Sequence, residues 1–191
     1  TTAEIDIEIL GDEVLELDED FAVVLSNPSG ATIENDTGIG VIENDDSASL
    51  SIDDVTGLEG NGGTTDFVFN VTLSGTVPGG FTVPFTTNDG TASNLDDYSG
   101  ISGGFIFFGN DGEVKTITVA VTGDNALESD EDFTVTLSTP SNPAVIFTDS
   151  EGLGTIVNDD VVSISINDVT ANEGDSGNTN FEFTVTLTGE V

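Results

Sequence analysis

The 191-residue sequence contains no cysteine, histidine, methionine or tryptophan, and its one basic residue is Lys115. Disulfides and thiolate metal sites are therefore excluded, and zinc, copper and haem lose their usual ligands. Catalysis by a cysteine or histidine nucleophile or base is excluded as well, so we expect no enzyme. No nucleic-acid partner is expected, because affinity for phosphate backbones comes largely from lysine and arginine. Oxygen ligands alone remain for a metal, and these favour Ca²⁺.

Long apolar runs are also missing. No stretch approaches the roughly 20 apolar residues that a membrane-spanning helix needs, and no signal peptide is visible. We therefore predict no membrane-spanning segment within this sequence.

The chain has a large excess of acidic residues, with 37 aspartates and glutamates and a formal net charge of −36. Such a balance is typical of disordered tails. Here, however, 36% of the residues are hydrophobic and twelve are phenylalanine, which is enough for a packed core. The composition therefore predicts a folded protein whose surface has almost no basic partners for its carboxylates.

The chain is internally repetitive. Residues 163–191 match residues 49–77 at 17 of 29 positions without a gap, at a constant offset of 114. Residues 11–46 match residues 123–160, with an offset that changes from 112 to 114 at an insertion after Ser141. We divide the chain into the C-terminal part of one repeat (1–46), a complete repeat (47–160) and the N-terminal part of a third (161–191).

The two partial repeats lack part of a core and would expose unpaired strand edges. We expect flanking sequence of the same protein, or neighbouring copies of it, to complete them. Either arrangement describes a linear assembly of repeats. The very short connections at residues 46–48 and 160–162 predict that successive repeats lie end to end.

Alternation of apolar and polar residues is the main local pattern, as in residues 67–73, 117–121 and 133–137. This period of two indicates half-buried antiparallel strands, and no segment shows a helical period. We predict strands near 48–53, 65–74, 81–88, 104–109, 114–122, 132–138 and 144–157, the last one broken or bulged. Seven short strands in about 110 residues favour an all-β, Ig-like sandwich over a small barrel or a β-solenoid.

Acidic residues recur on the loops at fixed positions of the repeat. Alternate loops of a sandwich lie at the same end, so about seven carboxylates of the complete repeat should meet there. Two unit charges 4 Å apart repel by roughly 4 kcal/mol at an effective dielectric constant of 20. Bound Ca²⁺ would relieve that repulsion. The alternative is that each acid lies apart on a solvated loop and contributes only to solubility.

Three segments carry a family resemblance. They are Asp89-Gly90-Thr91-Ala92, then Asp97-Tyr98, and residues 123–138, in which acids precede a Phe-x-Val-x-Leu strand. Together with the closing Asn158-Asp159-Asp160, these segments resemble the Calx-beta domain. That domain is a calcium-binding β-sandwich found in sodium/calcium exchangers, integrin β4 and large bacterial surface proteins. The resemblance covers the whole chain.

The resemblance implies a set of Ca²⁺ ligands. In the complete repeat these are Glu59, Asp97, Asp124, the backbone carbonyl of Ala126, Glu128, Glu131, Asp159 and Asp160. Counterparts in the partial repeats are Asp12, Glu16, Glu19, Asp45 and Asp46 in the first, and Glu173 in the third. Gly123 and Asn158 stand where further aspartates can occur in the family, so two ions per repeat are expected in place of four. Tyr98 is expected to anchor the base of its loop.

The expected function is that of an extracellular, cell-surface repeat protein. Ca²⁺ bound at the repeat ends would stiffen a surface fibre or filament with a structural and adhesive role. One alternative is a regulatory calcium-sensing module of a membrane transporter or receptor. Another is a halophile surface protein whose acids only bind water. Asn35 and Asn70 begin Asn-x-Thr sequons and are candidate glycosylation sites, so glycans are candidate partners.

Overall fold

The computed structural model describes residues 2–190, and for residues 102 and 104–107 the backbone only. Thr1 and Val191, at the outer ends of the two predicted partial repeats, lie outside the described residues. Within 2–190 the regular structure is entirely strand, and no helix that could span a membrane is found there. The thirteen strands are β1 Glu19–Val24, β2 Thr37–Ile42, β3 Ala48–Ile52, β4 Val55–Leu58, β5 Gly63–Ser74, β6 Phe81–Asp89, β7 Ser102–Phe108, β8 Val114–Gly123, β9 Glu131–Leu137, β10 Val145–Phe147, β11 Glu151–Val157, β12 Ser163–Ile166 and β13 Val185–Thr188.

The complete repeat is the predicted sandwich. One sheet has the strand order β10-β3-β5-β8, and the other has the order β4-β11-β9-β6-β7. The broken strand expected over residues 144–157 is present as β10 and β11, which lie in different sheets. The architecture is therefore confirmed as an all-β sandwich.

Strand β4 was not predicted. The chain leaves the first sheet after β3, and β4 then joins the second sheet, parallel to β11. The pair β3 and β10 is parallel as well, although the sequence pattern suggested antiparallel strands throughout. The two aspartates at this switch satisfy backbone groups of both sheets. Asp53 Oδ1 accepts the Asn70 amide at 2.6 Å, and Asp54 Oδ1 accepts the Leu153 amide at 2.8 Å.

Alternation along the strands determines which side chains form the core. The inward positions of both sheets are almost fully buried: Leu50, Ile52, Phe67, Phe69, Val71, Leu73, Ile117, Val119, Val121, Val83, Phe133, Val135, Leu137 and Ile156. At the centre, the Phe133 ring stacks on Tyr98 with the centroids 4.5 Å apart, and Phe67 and Phe69 lie about 6 Å away. This aromatic cluster joins the two sheets.

Two glycines make room for the aromatic rings. A Cβ at Gly154 on β11 would lie 2.5 Å from Cζ of Phe133 on the neighbouring strand. Gly40 on β2 lies against Phe21 on β1 in the same way, again with a Cβ contact of 2.5 Å. Glycine at this position of each repeat therefore lets a phenylalanine ring lie flat across the adjacent strand.

The strands of the partial repeats pair as their counterparts do in the complete repeat. Glu19 is opposite Ile42 in the β1–β2 pair, as Glu131 is opposite Ile156 in the β9–β11 pair. Ser163 is opposite Thr188, as Ser49 is opposite Ser74. The matched sequences therefore produce the same registers at both ends of the chain.

The partial repeats leave apolar side chains exposed at core positions. Ile5, Ile7 and Ile9 correspond to the buried Ile117, Val119 and Val121 of β8 but are between 48% and 62% exposed. Ile117, Val119 and Val121 lie in β8, which pairs with β5, whereas residues 2–13 form no strand and no counterpart of β5 lies beside them in the described chain. Burial at these positions therefore depends on tertiary contacts and not on the local sequence.

Candidate metal centre at one pole of the sandwich

Four connections meet at one end of the sandwich, which we call the acidic pole. They are the turn after β4, the loop after β6, the loop from β8 to β9, and the segment after β11. Each begins where a strand reaches this end, as the sequence analysis predicted for alternate loops. The carboxylates of the complete repeat lie in two groups at this pole.

The first group consists of Glu59, Asp159 and Asp160, and one carboxylate oxygen from each lies within 4.8 Å of the other two. Glu59 and Asp160 are only 6% and 7% exposed. The Gly60 amide donates to Asp159 Oδ1 at 3.0 Å, and Asn61 Nδ2 donates to Asp160 Oδ1 at 2.6 Å. Asp160 Oδ2 is buried without a hydrogen-bond partner among the described residues. An anionic oxygen in that position is costly unless a cation contacts it.

The second group consists of Asp97, Glu128 and Glu131, again within 4.8 Å of one another. Asp97 is held in place because its Oδ2 accepts the Ser93 amide at 2.7 Å, and its backbone carbonyl accepts the Thr122 amide at 2.8 Å. The next residue, Tyr98, is 1% exposed and packs on the core. The prediction that Tyr98 anchors this loop is therefore confirmed.

The Tyr98 hydroxyl has an anionic partner. It donates to Asp89 Oδ1 at 2.6 Å, and burial together with this bond raises the pKa of Tyr98 to about 12. The phenol thus stays protonated at neutral pH and connects the end of β6 to the loop that carries Asp97. The loop is fixed from both sides before any ion binds.

Asp124 and Ala126 lie at the start of the loop from β8 to β9. Asp124 Oδ1 accepts the Ala126 amide at 2.6 Å, which forms a tight turn. The Asp124 charge acts on both Glu59 and Glu128. The two carboxylate groups therefore form one continuous region of negative charge.

Asn158 and Asp130 position this region, and the sequence analysis did not assign them a role. Asn158 Oδ1 accepts the Glu128 amide at 3.2 Å, and its Nδ2 donates to the Asp160 carbonyl at 3.1 Å. Asp130 Oδ1 accepts the Asn158 amide at 3.1 Å. Asn158 therefore ties the β8–β9 loop to the terminal acidic segment. The recurrence of Asn44 at the matching position was a signal for this role, since Asn44 makes the same three bonds in the first repeat.

Electrostatics at the pole favour protonation or a cation. Burial, and then the charges of Asp124, Glu128, Asp160 and Asp159, raise the pKa of Glu59 from 4.5 to about 7. Burial and the neighbouring Asp97 likewise raise the pKa of Glu131 to about 7, and burial is the first cause that raises the pKa of Glu128. Lys115 is at the start of β8, at the far end from the pole, and pairs with Glu113 at 2.7 Å. No basic side chain thus offsets these charges in the described chain.

The predicted ligands of the partial repeats are arranged differently. In the first repeat, Asp12, Glu16, Glu19, Asp45 and Asp46 all line one cavity of about 440 Å³. In the third, Glu173 is exposed, although its carbonyl accepts the Thr179 hydroxyl as the Glu59 carbonyl accepts the Thr65 hydroxyl. The first repeat therefore places its five predicted ligands around one cavity, and Glu173 stands by itself.

The two sequon asparagines are both exposed. Asn35 precedes β2, and its Oδ1 accepts the Thr37 amide at 3.3 Å. Asn70 points outward from β5, as predicted, but its Nδ2 donates to Asp53 Oδ2 at 2.7 Å. Glycan attachment at Asn70 would modify the nitrogen that donates this bond at the β3–β4 switch, whereas Asn35 uses its Oδ1 for the bond with Thr37, so Asn35 is the better placed acceptor.

The metal-free protein is expected to lose stability as the pH rises from 5 to 8. Glu59 and Glu131 have pKa values raised to about 7, so the folded state retains protons that the unfolded chain releases near pH 4.5. The resulting stabilisation is complete below pH 4.5 and is lost through pH 7. We expect thermal denaturation to show a fall of about 5 °C or more across this range. A melting temperature that is flat or rises would contradict the assignment, and Glu59→Gln/Glu131→Gln should reduce the slope.

The fold and the pole together define a class: a β-sandwich repeat whose loops present two carboxylate groups suited to a hard metal ion. A family model described as the Calx-beta domain matches residues 1–56 and 43–160. The chain belongs to the Calx-beta domain family. The resemblance seen in the sequence is thus confirmed.

Similar proteins include adhesion G-protein coupled receptor V1 of Danio rerio, which is 32% identical over 154 residues. The match covers 73% of this chain and 2% of the receptor, so the chain spans a very small part of that relative. Among solved structures, the apo-form Calx CBD1 domain has a TM-score of 0.53 and 25% identity, with 60% of this chain covering all of that domain. The structure of CBD12 from CALX1.2 has a TM-score of 0.52 and 24% identity, and the match covers 61% of this chain and 49% of that one. At this identity the likeness shows a shared fold alone.

Proposed function

We propose that this chain is a non-enzymatic repeat segment of an extracellular surface protein, in which Ca²⁺ at the acidic pole holds successive sandwiches in a rigid array. The observation that carries the proposal is the pair of three-carboxylate groups at the pole, with the buried and unpartnered Asp160 Oδ2 among them. Membership of a family with calcium-binding members supports the choice of ion.

The donor set fits Ca²⁺. Glu59, Asp159 and Asp160 would hold one ion, and Asp97, Glu128 and Glu131 would hold another, with Asp124 between them. All of these donors are oxygens, which Ca²⁺ prefers, and the histidine and thiolate donors favoured by zinc and copper are absent from the sequence. The ion would supply the positive charge that the pole lacks.

Ca²⁺ could stiffen the array because the acidic loop from β8 to β9 lies at the joint between repeats. The Leu127 amide donates to the Glu190 carbonyl of the next repeat at 3.2 Å, directly between Asp124 and Glu128. At the preceding joint, the Leu15 amide donates to the Thr76 carbonyl at 2.9 Å, and the Leu15 side chain packs against the core of the complete repeat. An ion that orders this loop would therefore also order the contact with the following repeat.

Thermal unfolding with and without Ca²⁺ tests the proposal. At 100 times its dissociation constant, one bound ion stabilises the folded state by about 2.7 kcal/mol. We expect the melting temperature to rise by about 5–10 °C at that concentration of CaCl₂ and to return to its starting value after chelation. Sodium chloride at matched ionic strength is the control. An equal rise in sodium chloride alone would favour the hydration role of a halophile surface protein and remove the calcium proposal.

A regulatory calcium-sensing module is the second candidate, and the likeness to the Calx CBD1 domain over that domain's entire length favours it. The dissociation constant separates the two functions. Extracellular modules bind Ca²⁺ at roughly 10⁻⁴–10⁻³ M, whereas sensors bind at roughly 10⁻⁷–10⁻⁵ M. Isothermal titration calorimetry of the metal-free chain measures this constant directly. A submicromolar value would replace the structural function with the regulatory one.

The partners that we propose are neighbouring repeats or further copies of the same protein in a linear assembly. The exposed apolar strands at both ends of the chain support this assignment, because they occupy core positions of the repeat. Glycans at Asn35 would extend away from the sandwich without disturbing its strands.

A further inference from the structure

The joint between the complete repeat and the third repeat is held by the backbone of Glu190. Its amide donates to the Asn125 carbonyl at 3.3 Å, and its carbonyl accepts the Leu127 amide at 3.2 Å. Residues Ala126 and Glu190 thus form a parallel β-bridge across the joint. Because the backbone is held on both sides, the Glu190 side chain starts from a fixed point beside the acidic pole of the preceding repeat.

An open cavity of about 590 Å³ lies at this joint. Its lining includes Asp159 and Asp160 from the complete repeat and Glu190 from the next one. Asp160 is 7% exposed, and its Oδ2 has no hydrogen-bond partner in residues 2–190. The cavity therefore combines carboxylates from two repeats with a buried anionic oxygen that lacks a donor.

The negative charge in this cavity has no basic partner in the sequence. The sole lysine is Lys115, and it is paired with Glu113 on the opposite side of the sandwich. A glutamate at position 190 adds a further negative charge to this cavity, and a cation bound there would offset that charge. Glutamate is not needed at this position of the repeat, because the matching residue at the preceding joint is Thr76.

The preceding joint shows the same backbone contact with an uncharged residue, Thr76, at the bridging position. Val14 and Thr76 form the equivalent parallel bridge, and the Leu15 amide donates to the Thr76 carbonyl. The cavity there is about 380 Å³ and is lined by Glu13, Asp45 and Asp46 of the first repeat and by Thr76 and Asp111 of the complete repeat. The backbone bridge is thus common to both joints. At the first joint the following repeat contributes Asp111 to the cavity, and at the second it contributes Glu190, which lies at the bridge itself.

We propose that the Glu190 carboxylate is a ligand across the joint for a divalent cation that it shares with Asp159 and Asp160 of the preceding repeat. The inference rests on the proposed function, because the ion is the Ca²⁺ of the acidic pole. It adds a residue from the next repeat to a centre otherwise formed within one sandwich. The joint is then connected through the ion as well as through the backbone bridge.

The experiment compares the full chain with Glu190→Gln and Glu190→Thr, the second of which reproduces the residue of the preceding joint. Glu182→Gln, an exposed acid elsewhere in the third repeat, is the matched control for loss of one charge. Calcium titration calorimetry of metal-free protein is expected to show about tenfold weaker binding at one site in both Glu190 variants. The control should bind as the wild-type chain does.

A distance measurement reports on the joint itself. The chain has no cysteine, so Thr118→Cys and Thr186→Cys place spin labels on exposed positions of adjacent repeats. We expect Ca²⁺ to narrow the distance distribution in the wild-type background and to leave it broad with Glu190→Gln. Wild-type affinity and narrowing in both Glu190 variants would overturn this proposal while leaving the proposed function in place. Absence of calcium binding by the wild-type chain would overturn both.

Discussion

Glu59→Gln is expected to change the stability of the metal-free protein and its affinity for Ca²⁺ in opposite directions. Glu59 is buried among Asp124, Glu128, Asp159 and Asp160, which together with burial raise its pKa to about 7. Above that pH its charge destabilises the metal-free protein, so the neutral glutamine should raise the free energy of unfolding by about 1 kcal/mol.

The same substitution removes a charged ligand from the first carboxylate group. We expect calcium affinity to fall by about 100-fold, because the number of charged ligands and the rigidity of the site determine it. Thermal denaturation at pH 8 without metal and calorimetric titration with CaCl₂ measure the two effects, with Glu182→Gln as control. A variant that is less stable without metal and binds Ca²⁺ as tightly as the wild-type chain would show that Glu59 is a structural residue and not a ligand.

Phe69→Ala is expected to destabilise the protein by about 3–5 kcal/mol, whereas Phe183→Ala should cost less than about 1 kcal/mol. The two phenylalanines occupy the same position of the repeat. Phe69 is fully buried and lies edge-on to the Phe133 ring at 6.0 Å, while Phe183 is 55% exposed. Alanine at position 69 therefore leaves a cavity between the sheets, and alanine at position 183 leaves none.

Chemical denaturation of the two variants measures this difference. Equal losses would mean that the third repeat is packed against a partner under the conditions of the experiment, for example a second copy of the chain. Dilution would then reduce the cost of Phe183→Ala, because self-association depends on concentration. The comparison therefore also tests the linear assembly that we propose.

A residue that recurs at the same position of two repeats is informative, because recurrence indicates that the structure of the repeat uses that residue. Asn44 and Asn158 are not acidic, and a search for ligands alone passes over them. Their equal offset and identical hydrogen bonds identify them as the residues that tie the acidic loop to the terminal segment. The difference between Thr76 and Glu190 carries information for the same reason, since it occurs at an otherwise repeated contact.

The strands that the sequence analysis predicted are those with a clear period of two, such as β5, β8 and β9. Alternation decides which side chains face inward, and turn residues decide where a strand stops. Strand β4 was not predicted because it is four residues long and Gly57 interrupts the alternation of apolar and polar residues. Its partner β11 is distant in the chain, and a Cβ at position 57 would meet the Phe67 ring at 2.9 Å. Only the packed structure explains that glycine.

By itself, the sequence determined the repeat, the all-β class, the inward faces of the long strands and the oxygen-only chemistry of any metal site. These properties follow from residue types and from short-range spacing, which act before the chain is packed. The tertiary structure decided which carboxylates meet, which oxygen is buried without a donor, and which of two equivalent phenylalanines is in a core. Those outcomes depend on contacts between residues as far apart as Glu59 and Asp160, and local patterns do not encode the distance between them.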